Sequence, residues 1–167
     1  MTGNRKRTRK VPDDPARAYS AALKTAMNIV SYKDNTERTL YRKLSERGYQ
    51  ADTVEAVVEF MRSKGYVDDG RMLLHTARNL ALVKLYGKAR IRNELSLKGF
   101  DRETLDSLDW SGEELCDIDF TEICLKLLKK RGGERNEKNY AYLRRYGHTS
   151  SDIKAAYTAL NDVEKKD

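Results

Sequence analysis

Proline disappears from this sequence after Pro15, having occurred only there and at Pro12. A chain so free of helix breakers favours consecutive helices over a loop-rich β protein. Long apolar runs are missing too: the longest, Leu80 to Val83 and Tyr140 to Leu143, span four residues. That pattern excludes a transmembrane span and a signal-peptide core. Cysteine is scarce, and Cys116 and Cys124 show no paired metal-ligand spacing. With no export signal, both thiols are expected to be reduced and packed, in a cytoplasmic protein.

The motifs that mark a catalyst are lacking as well. There is no G-x-x-x-x-G-K-[ST] phosphate loop, no H-E-x-x-H and no nucleophile elbow. His75 and His148 fall in different parts of the chain, and each has a simple role as a surface or turn residue. The adjacent carboxylates Asp68 and Asp69 follow a stop signal at Gly65 and precede an apolar stripe, so they read as caps of the next helix. Gly132 and Gly133 read as a connector, and Trp110 as a packing residue. The expectation is a protein without catalytic residues, metal or cofactor.

What the chain has in quantity is charge. Charged residues make up 35% and apolar ones 39%, with a mean hydropathy of −0.80, the profile of a solvated all-α chain. Lysine and arginine outnumber the acids 33 to 26, for a net +7, yet Arg5, Lys6, Arg7, Arg9 and Lys10 supply +5 of it and leave +2 for everything downstream. Residues 1–14 are therefore read as a disordered basic tail, either an electrostatic arm for phosphates or acidic protein, or a solubilising tail. For the rest, any affinity for a polyanion must rest on local patches.

Comparison of the chain with itself finds one pattern three times: Leu44, Gly48, Val54 and Val57; Leu95, Gly99, Leu105 and Leu108; Leu143, Gly147, Ile153 and Ala156. Each glycine follows a short amphipathic stretch, where a left-handed residue past a helix end costs glycine nothing. Capping candidates follow: Asp52 with Glu55, Asp101 with Thr104, and Ser150 or Ser151. A longer amphipathic segment precedes each pair, at Tyr19 to Val30, Met72 to Val83 and Phe120 to Leu128. The first of these opens with Asp13, Asp14 and Pro15, residue types suited to a helix start.

The predicted architecture is three tandem three-helix repeats, residues 15–66, 67–110 and 111–167, the last ending in a short polar tail. They are expected to form an elongated curved rod. The glycine-bearing turns resemble helix-turn-helix geometry, which many modules have without touching DNA.

Charge alternates along the repeats. Residues 70–103 carry a net +5, residues 101–124 set nine acids against Arg102, and residues 126–148 carry +6. The contact candidates are Arg71, Arg78, Lys84, Lys88, Arg90, Arg92 and Lys98 in the first basic patch, with Lys126, Lys130, Arg144 and Arg145 in the second. Arg71, His75 and Arg78 share one helical stripe, as do Lys88 and Arg92, suited either to a phosphate track or to solvent.

The segment Gly65-Tyr66-Val67-Asp68-Asp69, followed by a helix and then Tyr86-Gly87-Lys88-Ala89-Arg90-Ile91-Arg92-Asn93-Glu94-Leu95-Ser96-Leu97-Lys98-Gly99-Phe100, resembles the central signature of the bacterial RecX family of RecA regulators. The likeness is strong over some 35 residues and extends more weakly over residues 16–160. The resemblance implies three tandem three-helix repeats lying in the groove of the RecA–DNA filament and restraining recombinase and coprotease activity, in DNA repair and the SOS response. It marks Gly65, Tyr66, Asp68, Asp69, Gly87, Arg90, Ile91, Glu94, Leu95, Lys98 and Gly99, with Arg90 and Lys98 as the best candidates for contact. Met72 departs from the aromatic residue usual there, and Arg135 stands where the third repeat would align Gly87. The implied partners are the RecA filament and the single-stranded DNA within it, with free DNA bound weakly, no membrane, and the chain a monomer. The alternative is an independent DNA-binding protein built from the same modules.

Overall fold

The computed structural model describes residues 11–164, so the basic run Arg5 to Lys10 and the polar end 165–167 lie outside the described residues. Among the described residues there are nine helices and no strand: α1 Pro15–Tyr32, α2 Glu37–Ser45, α3 Ala51–Ser63, α4 Asp69–Leu82, α5 Lys88–Leu97, α6 Arg102–Asp106, α7 Phe120–Lys129, α8 Glu137–Arg145 and α9 Ser150–Glu164. They form two compact units with their boundary between Asp69 and Gly70.

The first unit is a three-helix bundle. Asp14 starts α1 by accepting the Arg17 backbone N–H at 2.8 Å, and Pro15 occupies the first turn, where its missing N–H costs nothing. The buried stripe of α1 is Ala18, Ala22 and Ala26, side chains small enough to let α3 pack close. Leu40 and Leu44 of α2 meet Val54, Val57, Val58 and Met61 of α3 in one core, where each large aliphatic side chain contributes about 1.5–3 kcal/mol.

Two local expectations change here. Gln50, without a side-chain bond, occupies the N-cap of α3, and Asp52 lies inside the first turn, where it complements the helix dipole. Asp69, read as a cap of its own helix, turns its carboxylate to α2 and accepts the Glu37 N–H at 3.0 Å. Burial, then the nearby Asp69 charge, raises the Glu37 carboxyl above its ordinary range.

In the second unit α4 to α9 share a single core. It runs from Leu73, Ala77 and Leu80 through Ile91, Leu95, Phe100 and Leu105 to the buried face of α7, Phe120, Ile123, Cys124, Leu127 and Leu128, and on to Leu143, Ile153 and Ala156. Asp101 caps α6 as expected, accepting the Thr104 N–H at 2.8 Å. At α9 the cap is Thr149 rather than Ser150 or Ser151. Its N–H donates to Asp152 at 2.9 Å and its hydroxyl accepts the Asp152 N–H at 3.1 Å, a reciprocal capping box. The α6 helix lasts only five residues, after which residues 107–119 cross to α7 and set Trp110 edge-on against Phe120, 4.8 Å between ring centres. Cys124 is buried but Cys116 is exposed, against the expectation that both would pack.

The second and third repeats meet backbone to backbone. Gly87 donates its N–H to the Tyr146 carbonyl at 2.8 Å, and a Cβ added to Gly87 would lie 2.2 Å from the Gly147 oxygen. A Cβ on Gly147 would lie 2.4 Å from the Arg90 nitrogen. Beside this contact His148 is buried, not a surface residue, and its Nε2 lies 3.1 Å from the Leu85 carbonyl, to which it donates. Leu85 has φ of 57°, the one non-glycine residue with positive φ among those described.

Candidate polyanion-binding site

The start of α5 and the end of α8 are held together by the Gly87–Gly147 contact, and that approach assembles a strip of arginines and tyrosines. Tyr86 precedes α5, Arg90 lies in its first turn, and Tyr142 and Tyr146 follow one another at helical spacing on α8 and its cap. The Tyr86 and Tyr146 rings meet edge to face with centres 5.5 Å apart, and Tyr142 and Tyr146 are 4.5 Å apart and tilted. Guanidinium groups cover the faces. Arg90 sits 4.3 Å from the Tyr86 ring centre and 5.3 Å from that of Tyr146, while Arg131 and Arg145 lie 4.6 and 5.4 Å from Tyr142.

Cation–π stacking fixes these planar heads while leaving N–H donors along their edges. Arg90 is also tied down by the Arg145 carbonyl at 3.3 Å and by Glu94 at 3.6 Å. The hydrogen bond with Tyr146, together with burial, raises the Tyr142 hydroxyl above its ordinary value, so Tyr142 stays neutral. The assembly is a set of oriented cations with partly exposed aromatic rings between them. That is the chemistry that grips phosphate oxygens or carboxylates and stacks on planar bases.

Of the residues singled out from sequence, Arg90 and Arg145 come together here, with Arg144 one position away donating to the His148 carbonyl at 2.9 Å. Others are engaged within the unit. Arg78 makes a forked pair with Asp117 and donates to the Glu114 carbonyl at 3.0 Å. Hydrogen bonding to Arg78 holds the Asp117 carboxyl below its ordinary range. Arg92 pairs with Asp106 and reaches the Leu105 carbonyl at 3.2 Å, which likewise lowers Asp106. Lys126 pairs with Glu122 at 2.7 Å. Lys88 leans over Phe120 at 5.1 Å and Trp110 at 6.0 Å.

Arg71, His75 and Arg78 do share a side of α4, where they line a shallow groove of about 400 Å³ with Leu74 and Glu114. Lys84, Lys98 and Lys130 are exposed and lie apart from the strip's stacked contacts. Sequence reading missed Tyr86, Tyr142, Tyr146 and Arg131 as a group. Tyr142 and Tyr146 at i and i+4 beside Arg145 were the available signal. Among the described residues no cluster of His, Cys, Asp or Glu has the geometry to hold a metal ion, and no helix is long and apolar enough to cross a membrane.

The family model for the first three-helix domain of RecX matches residues 18–61. Regulatory protein RecX of Salmonella paratyphi A is 31% identical over 134 residues, covering 74% of this chain and 78% of that protein. The chain belongs to the RecX family. Regulatory protein RecX of Salmonella newport agrees, 30% identical over 140 residues, 78% of this chain and 81% of the relative. RecX from Lactobacillus salivarius has the same fold, with a TM-score of 0.75 at 20% identity over 87% of this chain and 98% of that one. A second RecX crystal structure superposes with a TM-score of 0.65 at 21% identity over 89% of this chain and 73% of that one. The family model falls in the first unit, whereas the signature at residues 65–100 spans the boundary and lies mostly in the second. This RecX-family chain is thus a regulatory protein of all-α, three-helix-module construction.

Proposed function

We propose that the chain regulates RecA without chemistry of its own, binding the RecA–DNA filament and restraining its recombinase and coprotease activity. The observation that supports this most is the strip in which Arg90, Arg131 and Arg145 stack on Tyr86, Tyr142 and Tyr146, within a chain of the RecX family. In this reading the three repeats are residues 15–66, 67–110 and 111–167. The strip grips anionic groups of the filament, DNA phosphates or acidic side chains, while Lys84, Lys98, Lys130 and Arg144 add longer-range attraction. A ligand that binds one filament state more tightly than another shifts the balance between them by its difference in affinity and by nothing else. The chain works as a monomer in the cytoplasm.

Arg131→Glu with Arg145→Glu tests the reading, because both side chains are exposed and their reversal leaves the core intact. The double variant should lose most of its effect on RecA-driven strand exchange at equal concentration, and an undiminished effect rules out this surface. The exposed tyrosine edges also favour a second reading, direct binding of single-stranded DNA. Filter binding with and without RecA separates the two. Binding to bare DNA alone would need no recombinase and would weaken steeply with salt, by about 0.7 log units in affinity per phosphate neutralised for each tenfold rise in salt.

A further inference from the structure

Helices α5 and α6 of the second repeat, and α8 and α9 of the third, each border a groove, and the two repeats treat it differently. Their glycines, Gly99 and Gly147, are 48 positions apart. By that offset Ala89, Arg92 and Leu105 correspond to Glu137, Tyr140 and Ile153. The first set lines a groove of about 300 Å³ and the second a groove of about 810 Å³. The physical reason for the difference is helix length. The α6 helix stops after five residues and the chain folds back, so that Trp110 itself becomes part of the groove wall, anchored on Phe120 and covered by Lys88. The α9 helix continues for 15 residues, Thr158 takes the position of Trp110 along its face, and the groove is left open among the described residues.

One further feature points to a ligand. Tyr157 forms the buried floor of the groove, and its hydroxyl faces the Asn136 backbone. The rim carries Arg135, over the Tyr157 ring at 5.7 Å, and the exposed Lys154. In the second repeat the segment that contributes Trp110 to the groove wall is acidic in sequence, with Asp106 also lining the groove and Asp109, Glu113 and Glu114 following nearby along the chain.

We propose that the α8–α9 groove of the third repeat is a docking site for an acidic segment of a partner protein carrying one aromatic side chain. That ring would lie beside Tyr140 and Ile153, as Trp110 lines the groove of the second repeat together with Arg92 and Leu105, with its acidic neighbours against Arg135 and Lys154. The proposal is independent of the arginine–tyrosine strip, which lies on other residues of α8, and of whether RecA is the partner.

The probe is a labelled synthetic peptide of residues 106–117, which carries the chain's own groove-wall sequence, titrated into the full-length protein with anisotropy as the readout. The expected result is saturable binding with Kd on the order of 100 µM, weakened about tenfold or more by Trp110→Ala in the peptide. Ala141→Trp in the protein, which fills the groove from an exposed position, should abolish binding while leaving the helical circular dichroism unchanged. If that variant fails to fold, Lys154→Glu serves, with several-fold weaker binding and a reduced salt dependence. Absence of binding to the folded wild-type protein, or equal binding by these variants, overturns the proposal. So does concentration-dependent dimerisation that the peptide displaces, since the occupant would then be a second copy of the chain.

Discussion

Replacing Gly87 by alanine should cost more stability than replacing a glycine whose backbone is left-handed. Gly87 has φ of −79° and ψ of 167°, a conformation any residue adopts, so backbone strain predicts almost nothing. Sterics predict a great deal. A Cβ there would sit 2.2 Å from the Gly147 carbonyl oxygen and 2.5 Å from the His148 nitrogen, both backbone atoms that cannot swing away. Restoring ordinary contact means opening the α5 start from the α8–α9 turn by about 1 Å. That overpacking costs about 1–3 kcal/mol. It also loosens the Gly87 N–H to Tyr146 bond at 2.8 Å and the His148 to Leu85 bond at 3.1 Å, at about 1 kcal/mol each. The sum, about 3–5 kcal/mol, is a large share of a typical domain stability of about 5–15 kcal/mol.

Gly132→Ala is the comparison. Its φ is +88° but nothing lies within 4 Å of the added Cβ, so only the strain of about 1–2 kcal/mol remains. Urea unfolding followed by the fluorescence of Trp110, the sole tryptophan, reports the second unit alone and avoids mixing two units in one transition. With a slope of about 1.5 kcal/mol/M the Gly87→Ala midpoint should fall by about 2–3 M. A shift smaller than that of Gly132→Ala would refute the close-packing argument.

Other consequences follow from the same unit. His148 is held below its ordinary value of 6.5, chiefly by burial. The unfolded chain then binds the proton more readily than the folded one, so stability is full above about pH 6.5 and declines as the pH falls below it; His148→Gln should flatten that decline in acid-range urea titrations. Burial pushes the Cys124 thiol up to about 12, so at pH 8 a thiol reagent should label Cys116 at once and Cys124 only on unfolding. Equal labelling rates would contradict the buried position. Tyr142→Ala should weaken binding to RecA–DNA filaments several-fold by freeing Arg131 and Arg145, and Tyr142→Phe should retain it, as measured by filament co-sedimentation at fixed salt.

Much of the fold was legible because its determinants are local. Leu40 and Leu44, Ile91 and Leu95, and the α7 stripe from Phe120 to Leu128 repeat at helical spacing, and all are buried. Gly48, Gly99 and Gly147 were readable as helix stops from what precedes them, and each has positive φ. Caps were less legible, because Thr149, Ser150 and Ser151 offer similar oxygens and only the reciprocal bond with Asp152 selects one. The site was least legible. Arg78 and Asp117 are 39 positions apart, Arg92 and Asp106 are 14 apart, and Arg90 meets the Arg145 carbonyl across 55. A charge count along the chain made Arg78 and Arg92 look like an open basic patch, whereas folding pairs each with an acid from the following stretch. Gly87 could be recognised as a family mark but not explained, since its reason is a second glycine 60 residues away.

The most direct test of the account is co-sedimentation of the wild-type chain, and of the Arg131→Glu, Arg145→Glu double variant, with RecA filaments assembled on single-stranded DNA. The account predicts saturable binding of the wild type that exceeds its binding to the same DNA without RecA, and its loss in the folded double variant. Wild-type protein that stays in the supernatant, or pellets equally with bare DNA, would contradict it.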